Sequence, residues 1–523
     1  MLSSISMKLK STYTQITLNR VTVAFFLFSL IHCFAQGVIQ SFLFSVNSEF
    51  ATLVTRIVQT AEIPLTNITY LEGSSNHWTL RMCNDIPHGQ AKNPCMVVFQ
   101  SGVDDVQPTP NLVEQDTVES QSIFQDLSQG FAITPNRNSL GNVTGVTFQP
   151  VAVPSALQAT AASSVFLNQQ CTQILAYPQQ VLQNSVREDI TFLFLQIWLL
   201  GVSTFALAQS SVPHILTALG TRFLITSWSA YIVIYRTNNQ ASTFQQIVSA
   251  PGTPCGVELF PTYFGLRQAY DIADLVLSCS ALMLSGLLSW NLLKVYNAHS
   301  FKRVGAPAHV IRLYKYFMAV QAVLQLEVFV LVAGTSLWVA VLTGTGISKI
   351  SAHTTIYKAL IIATTVLVLP WIALGWYGVR REQKRMMISF LAIAFFFVTC
   401  WGIMFYSIVY RWSFLQWPYL GCFTVASFIL IIASMILGTI CWRNFDLGLA
   451  EYLNAESALA SLNFAPEVFD HSDVEKSGHY YAYDEPEFPM PTFQKGGEGF
   501  RIAAPVRGPP PVYDRPYNAN APF

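Results

Sequence analysis

The sequence predicts a polytopic α-helical membrane protein. The expected form is a seven-helix bundle, with a small disulfide-bonded α+β domain on its extracellular or lumenal side and a disordered cytosolic tail. Three observations predict this. Of 523 residues, 52% are hydrophobic and only 11% are charged, whereas an ordinary soluble protein is about 25% charged. Apolar runs of about 20 residues, enough for a helix to cross ~30 Å of hydrocarbon, recur through the second half of the chain. Outside those runs lie two polar segments, one holding cysteines and sequons, the other acids and prolines.

Lysine plus arginine equals aspartate plus glutamate at 29 each, and the mean hydropathy is +0.40. There is no basic excess for nucleic acid, so the expected large-scale partner is the lipid bilayer.

Residues 1–46 read as a signal sequence or an uncleaved signal anchor. Lys8, Lys10 and Arg20 precede the apolar run Val21–Val46, and Cys33-Phe34-Ala35 offers small residues for cleavage. Either reading sends residues 47–187 outward. That segment holds the sequons Asn67-Ile68-Thr69 and Asn142-Val143-Thr144, which predict glycosylation in an outward loop. Cys83, Cys95, Cys171 and Cys255 form an even outward set, as an oxidising compartment allows. Four cysteines permit about three pairings, of which Cys83–Cys95 and Cys171–Cys255 are expected. Met96–Phe99 and Val143–Phe148, running on to Val151–Val153, read as strands; Ala156–Tyr177, without Gly or Pro, reads as helix. His77 and His88 are isolated and read as surface residues.

The seven spans, within 188–442, are Ile190–Ala208, Ile215–Tyr235, Ile272–Leu293, Tyr316–Leu342, Ala359–Gly378, Met387–Tyr410 and Tyr419–Trp442. The second is the weakest, with Arg222 near its middle. Lys294, Lys302, Arg303, Arg312 and Lys315 follow the third span; Arg380, Arg381, Lys384 and Arg385 follow the fifth. The positive-inside rule puts those loops and the C-terminus in the cytosol. The expected location is therefore an integral membrane protein of the secretory pathway or plasma membrane.

Ionisable residues within spans are functional suspects, because each is costly unless paired or hydrated. Arg222 lies about 10 Å and Glu327 about 16 Å along their spans from the cytosolic side, which suggests an intramembrane ion pair. The alternative is that Arg222 snorkels or faces a wet cavity while Glu327 is protonated or bonds a neighbouring backbone group. In the third span Asp271, Asp274, Ser278, Ala281, Ser285 and Ser289 recur at helical spacing and share one face. With Arg267 a turn earlier, the aspartates form a polar mouth: either a cavity open to the outside for a cation or ligand, or a cap made by an Arg267–Asp271 pair.

Residues 443–465 suggest a juxtamembrane amphipathic helix carrying Leu449, Tyr452, Leu453 and Leu459 on one side, or a helical stub packed on the bundle. Residues 466–523 are acidic and proline-rich and read as disordered. Within them Pro510-Pro511-Val512-Tyr513 resembles the PPxY ligand of WW domains, in which prolines preset an extended helix for an aromatic groove. That resemblance implies a WW-domain ubiquitin ligase or its adaptor as partner.

No catalytic, cofactor-binding or metal-binding motif stands out, so an enzyme is not expected and no cofactor is implied. The topology resembles G-protein-coupled receptors, but the third span ends Trp290-Asn291-Leu292-Leu293-Lys294, with no DRY, and the seventh lacks NPxxY. The stretch from Trp442 through Asn444-Phe445-Asp446-Leu447-Gly448 to Asn463-Phe464-Ala465-Pro466-Glu467 is similar to uncharacterised fungal multi-pass membrane proteins, which implies no activity. The leading expectation is a receptor-like or sensor-like surface protein binding an extracellular ligand. One rival is a transporter or channel using Asp271, Asp274, Glu327 and Arg222. Another is an adaptor acting through its tail.

Overall fold

The computed structural model describes residues 13–454, apart from position 18 and residues 65–66, 75–76, 88–93, 103–130, 151–163, 305–307 and 351–353. His88, Val151–Val153 and the tail with Pro510, Pro511 and Tyr513 lie outside the described residues.

The first long helix, α1 (Arg20–Thr60), starts where Asn19 caps it, the Asn19 side chain accepting from the Val21 amide while Thr22 bonds back to the Asn19 amide. It then runs 41 residues without a break. The boundary expected at residue 46 is absent, because Asn47–Thr60 contains no Gly or Pro to stop a helix. Nor does the segment stand apart like a leader: it packs lengthwise against two other long helices. Over residues 27–42 its large apolar side chains face outward, with Ile31 66% and Phe34 75% exposed, while His32, Gln36 and Gln40 are buried. This inverts the pattern of a helix in water and suits a helix facing lipid.

Six strands follow: β1 (Ile68–Ser74), β2 (His77–Cys83), β3 (Cys95–Gln100), β4 (Phe131–Arg137), β5 (Val143–Pro150) and β6 (Val165–Asn168). They form two three-stranded antiparallel sheets, β1-β2-β3 and β4-β5-β6. Cys83 and Cys95 are register partners and are disulfide-bonded. Residues 165–168, expected as helix, are strand. Val165 and Leu167 point into the core and Phe166 outward, a period of two that local composition concealed. Asn168 then caps the short helix α2 (Gln169–Ile174) by accepting from the Cys171 amide. Cys171 is bonded to Cys255, so both expected disulfides are present.

Helix α3 (Ala176–Ala208) follows α2 directly. Helix α4 (Val212–Tyr231) runs on through a π-helical turn at Ile232–Arg236, α5 (Thr237–Phe244) and a second π-helical turn at Gln245–Ser249. The rest are α6 (Tyr263–Val304), α7 (Ala308–Gly344), the single turn α8 (Ile347–Ile350), α9 (Thr354–Arg380), α10 (Lys384–Tyr406), α11 (Ile408–Gln416) and α12 (Pro418–Arg443). The sixth span ends at Tyr406, short of the expected Tyr410, which belongs to α11 and stacks on Trp338.

Among the described residues, seven helices are by length and composition long and apolar enough to cross a membrane: α1, α3 (counted with α2), α6, α7, α9, α10 and α12. Six of the seven spans expected within 188–442 are in this set, and the seventh member is the N-terminal run expected as a signal sequence or anchor. The N-terminal helix belongs to the set, and α4, with Arg222 in it, does not. Helix α4 nonetheless packs inside the bundle, which divides into halves. Helices α1, α3, α4 and α6 pack mainly on one another, as do α7, α9, α10 and α12, and α4 against α7 joins them.

The second half has an apolar core. Trp371 stacks on Phe390 at 5.1 Å and donates its indole N–H to the Phe390 carbonyl. Gly375 makes room for that ring, since a Cβ there would stand 2.6 Å from Phe390 Cε2. At one end of the molecule the sheets share a core with the helices, through Phe50, Ile57, Leu80, Phe99, Phe148 and Tyr263. At the other end Phe25, Leu207, Ile215 and Leu292 cluster where α1 starts, α3 ends and α4 starts. The basic loop 380–385 lies at this second end, where Lys384 pairs with Asp446. Of the juxtamembrane segment, residues 449–454 are described and helical; Leu449 and Tyr452 pack into the bundle core.

Candidate functional site

The half-bundle of α1, α3, α4 and α6 is filled with polar groups. On α1, Ser29, His32, Gln36, Gln40 and Asn47 are all at most 5% exposed. From Ser29 to Asn47 this stripe climbs about 27 Å at about 1.5 Å per residue, close to the ~30 Å hydrocarbon thickness. On α6, Arg267, Asp271, Asp274, Ser278, Ser285 and Ser289 are likewise buried and face the same interior.

Towards the sheet end these groups form a connected network. Asp274 Oδ1 accepts from Gln40 Nε2 at 2.6 Å and also from Gln36 Nε2; its Oδ2 accepts from Ser229 Oγ at 2.6 Å. Asp271 accepts from Thr237 at 2.8 Å and lies 3.7 Å from Arg267 Nε. Arg267 donates to the Tyr263 hydroxyl at 2.8 Å, which in turn donates to Asn47 Oδ1 at 2.7 Å. The Asn47 amide donates to Asp189 Oδ2 at 2.6 Å. Beside it Glu188 pairs with Arg236 and accepts from the Trp417 indole at 2.6 Å. Gln40, Asn47, Asp189, Arg267, Asp271 and Asp274 help line a cavity of about 20 Å³, room for about one water molecule.

The expected polar mouth is corrected in one respect. The Arg267–Asp271 pair forms, but neither residue opens to the outside: Arg267 is 4% and both aspartates are 5% exposed. The reason is α1, whose glutamines and Asn47 cover the face that the sequence left bare.

Below the network the character changes. Among the described residues, Ser29 Oγ, both ring nitrogens of His32, both amide atoms of Gln196, Ser203 Oγ and two nitrogens of Arg222 are buried without a hydrogen-bond partner. Arg222 lies 5.0 Å from the Phe28 ring centre, over α1. Buried polar atoms in this number ordinarily hold water or a small ion.

Among the described residues, the expected Arg222–Glu327 ion pair is not formed. Arg222 turns towards α1 in the polar half. Glu327 turns towards α12, where Ser427 donates to its Oε1 at 3.2 Å and its Oε2 has no partner. Similar depth along two helices says nothing about which way each side chain points, and here the directions diverge.

Sequence reasoning found Arg222, Arg267, Asp271 and Asp274 but missed Gln36, Gln40, Asn47, Glu188, Asp189 and Arg236. A signal was available. Ser29, His32, Gln36, Gln40 and Asn47 recur at helical spacing in the N-terminal apolar run, a polar face that a signal sequence does not need.

The predicted glycosylation sites differ in exposure. Asn142 is exposed in the β4–β5 turn, whereas Asn67 is half-buried and Thr69 is buried, bonded to Gln180. Among the described residues, no group of His, Cys, Asp or Glu side chains is arranged to hold a metal ion. No family model, curated protein or solved structure matches the chain.

Proposed function

We propose that this chain is an integral membrane protein that passes protons or a small inorganic cation through its polar half-bundle. The observation that carries this reading is the buried polar stripe on α1, which runs nearly a membrane's thickness and meets the carboxyls of α3 and α6 at its sheet end. Charge balance supports it. Glu188, Asp189, Asp271 and Asp274 face Arg236 and Arg267, so some carboxyls have no guanidinium of their own. In a low-dielectric interior a proton or a small cation would offset them. Size supports it too: a space of about 20 Å³ suits one water or a bare ion rather than an organic solute. The sheets then face outward, with Asn67 and Asn142 as glycan carriers, and the basic end faces the cytosol.

The test is reconstitution of the full chain in vesicles carrying a pH- or sodium-sensitive dye, under an imposed gradient. Flux above empty vesicles, reduced at least about tenfold by Asp274→Asn in a protein that still elutes as one species, is expected. Wild-type protein giving no flux of either ion in either gradient direction would sink the proposal.

A second reading, a receptor-like sensor, is favoured by Tyr263. Its ring packs with Phe50 and Phe260 in the core shared with the sheets, while its hydroxyl joins Asn47 and Arg267 in the polar network. A ligand on the sheets would have a direct mechanical route into the bundle. Loss of a ligand response on removing the sheets, with the bundle still at the cell surface, would support it.

A further inference from the structure

Two neighbouring hollows at the basic end are not explained by the polar core. The larger, about 680 Å³, is a crevice between the two halves of the bundle. Its walls include Phe205 of α3, His214 of α4, Met318 of α7 and Leu369, Ile372 and Trp376 of α9. It opens on the lipid-facing side, where Leu369 is 65% exposed. The smaller is about 520 Å³, and the described residues lining it are Tyr377, Arg380, Arg381, Ala450 and Asn454. Tyr377 and Arg380 line both, so a slot that is apolar along α9, with Gln321 and Gln325 of α7 in its opposite wall, meets a basic bowl at one rim.

The two arginines at that rim keep their charge available. Arg380 lies over the Trp376 ring at 5.9 Å and Arg381 over the Tyr377 ring at 5.5 Å, which fixes where the guanidiniums sit. Among the described residues neither forms an ion pair. Glu382, the nearest acid in sequence, is engaged elsewhere: its carboxylate accepts from the Asp446 and Ala450 amides and so ties down the segment after α12.

We infer that the crevice and the bowl together bind one anionic glycerophospholipid. Its acyl chain lies in the slot along α9, and its phosphate and anionic headgroup meet Arg380 and Arg381. The volume is in the range of small-molecule sites, about 300–1,000 Å³. The polarity gradient along the site matches an amphiphile, and the charge at its rim selects the anionic class over zwitterionic lipids. Bound there, the lipid would bridge the polar and apolar halves beside the α4–α7 contact, where Thr217 donates to the Ala322 carbonyl at 3.1 Å. This inference does not depend on what passes through the polar half.

The test uses full-length protein reconstituted in equal phosphatidylserine and phosphatidylcholine, extracted in mild detergent and examined by native mass spectrometry. Retained lipid should be enriched in phosphatidylserine at least about fivefold over the bulk ratio. Arg380→Gln with Arg381→Gln should return the ratio to bulk. Leu369→Trp, which fills the slot and spares the arginines, should lower total retained lipid. Lys294→Gln, a basic change at the same end outside both hollows, should leave the enrichment intact. A bulk ratio in the wild type, enrichment surviving the double arginine variant, or an equal loss in Lys294→Gln would each overturn the inference.

Discussion

Gln40 and Asp274, 234 positions apart, meet at 2.6 Å between the amide nitrogen of one and the carboxylate of the other. That contact makes the N-terminal helix a working part of the bundle. Without α1, Asp274 would keep Ser229 as its remaining side-chain hydrogen bond. The N-terminal run is therefore expected to stay attached. Intact mass spectrometry of the mature protein should find residues 20–60 present. A mature N-terminus just after Ala35 would refute this.

Replacing one network donor should cost a definite amount. Asn47→Leu removes the amide that serves Asp189 and the oxygen that takes the Tyr263 proton. Hydrogen bonds to charged groups contribute about 1.5–3 kcal/mol each, so a loss of roughly 2–4 kcal/mol is expected on thermal unfolding in detergent. Tyr263→Phe keeps the ring contacts and loses the hydroxyl, so about half that loss is expected. A change under about 0.5 kcal/mol in both would mean the network is not held together as described.

Arg222 and Glu327 should behave independently. Their side chains point to different helices, so the losses from Arg222→Leu and Glu327→Leu should add to within about 0.5 kcal/mol in a double-mutant cycle. A larger coupling would restore the ion pair.

The two disulfides should differ in weight. Cys171–Cys255 spans 84 positions and ties α2 to the loop before α6, whereas Cys83–Cys95 spans 12 within neighbouring strands. Closing the longer loop removes more unfolded-chain entropy, about 4–5 against about 3 kcal/mol. Paired Cys→Ser variants should therefore lower the melting temperature more at Cys171 and Cys255. The reverse order would show that strand pairing depends on the shorter bond.

The β4–β5 turn offers a check on sidedness. Asn142 is exposed there, so a glycan on it is expected in cells. Asn142→Gln should raise gel mobility by one glycan, and external protease should reach the same turn in intact cells. Unchanged mobility together with protection from protease would place the sheets on the other face.

While the fold settled which cysteines pair, the sequence by itself determined the class, six of the seven long apolar helices and the even outward set of cysteines. Those properties follow from length, local composition and one-dimensional spacing, since a run of ~20 apolar residues has few other fates. It also exposed the α6 stripe, because Asp271, Asp274, Ser278, Ser285 and Ser289 repeat within one helix. The tertiary structure decided which helices make up the set, where α1 belongs and what each buried charge meets. Asp274 depends on residues 234 and 45 positions away, and Arg222 turns from Glu327 because of how their helices are rotated. Rotation about a helix axis leaves spacing and hydropathy unchanged, so only the packing of the bundle could reveal it.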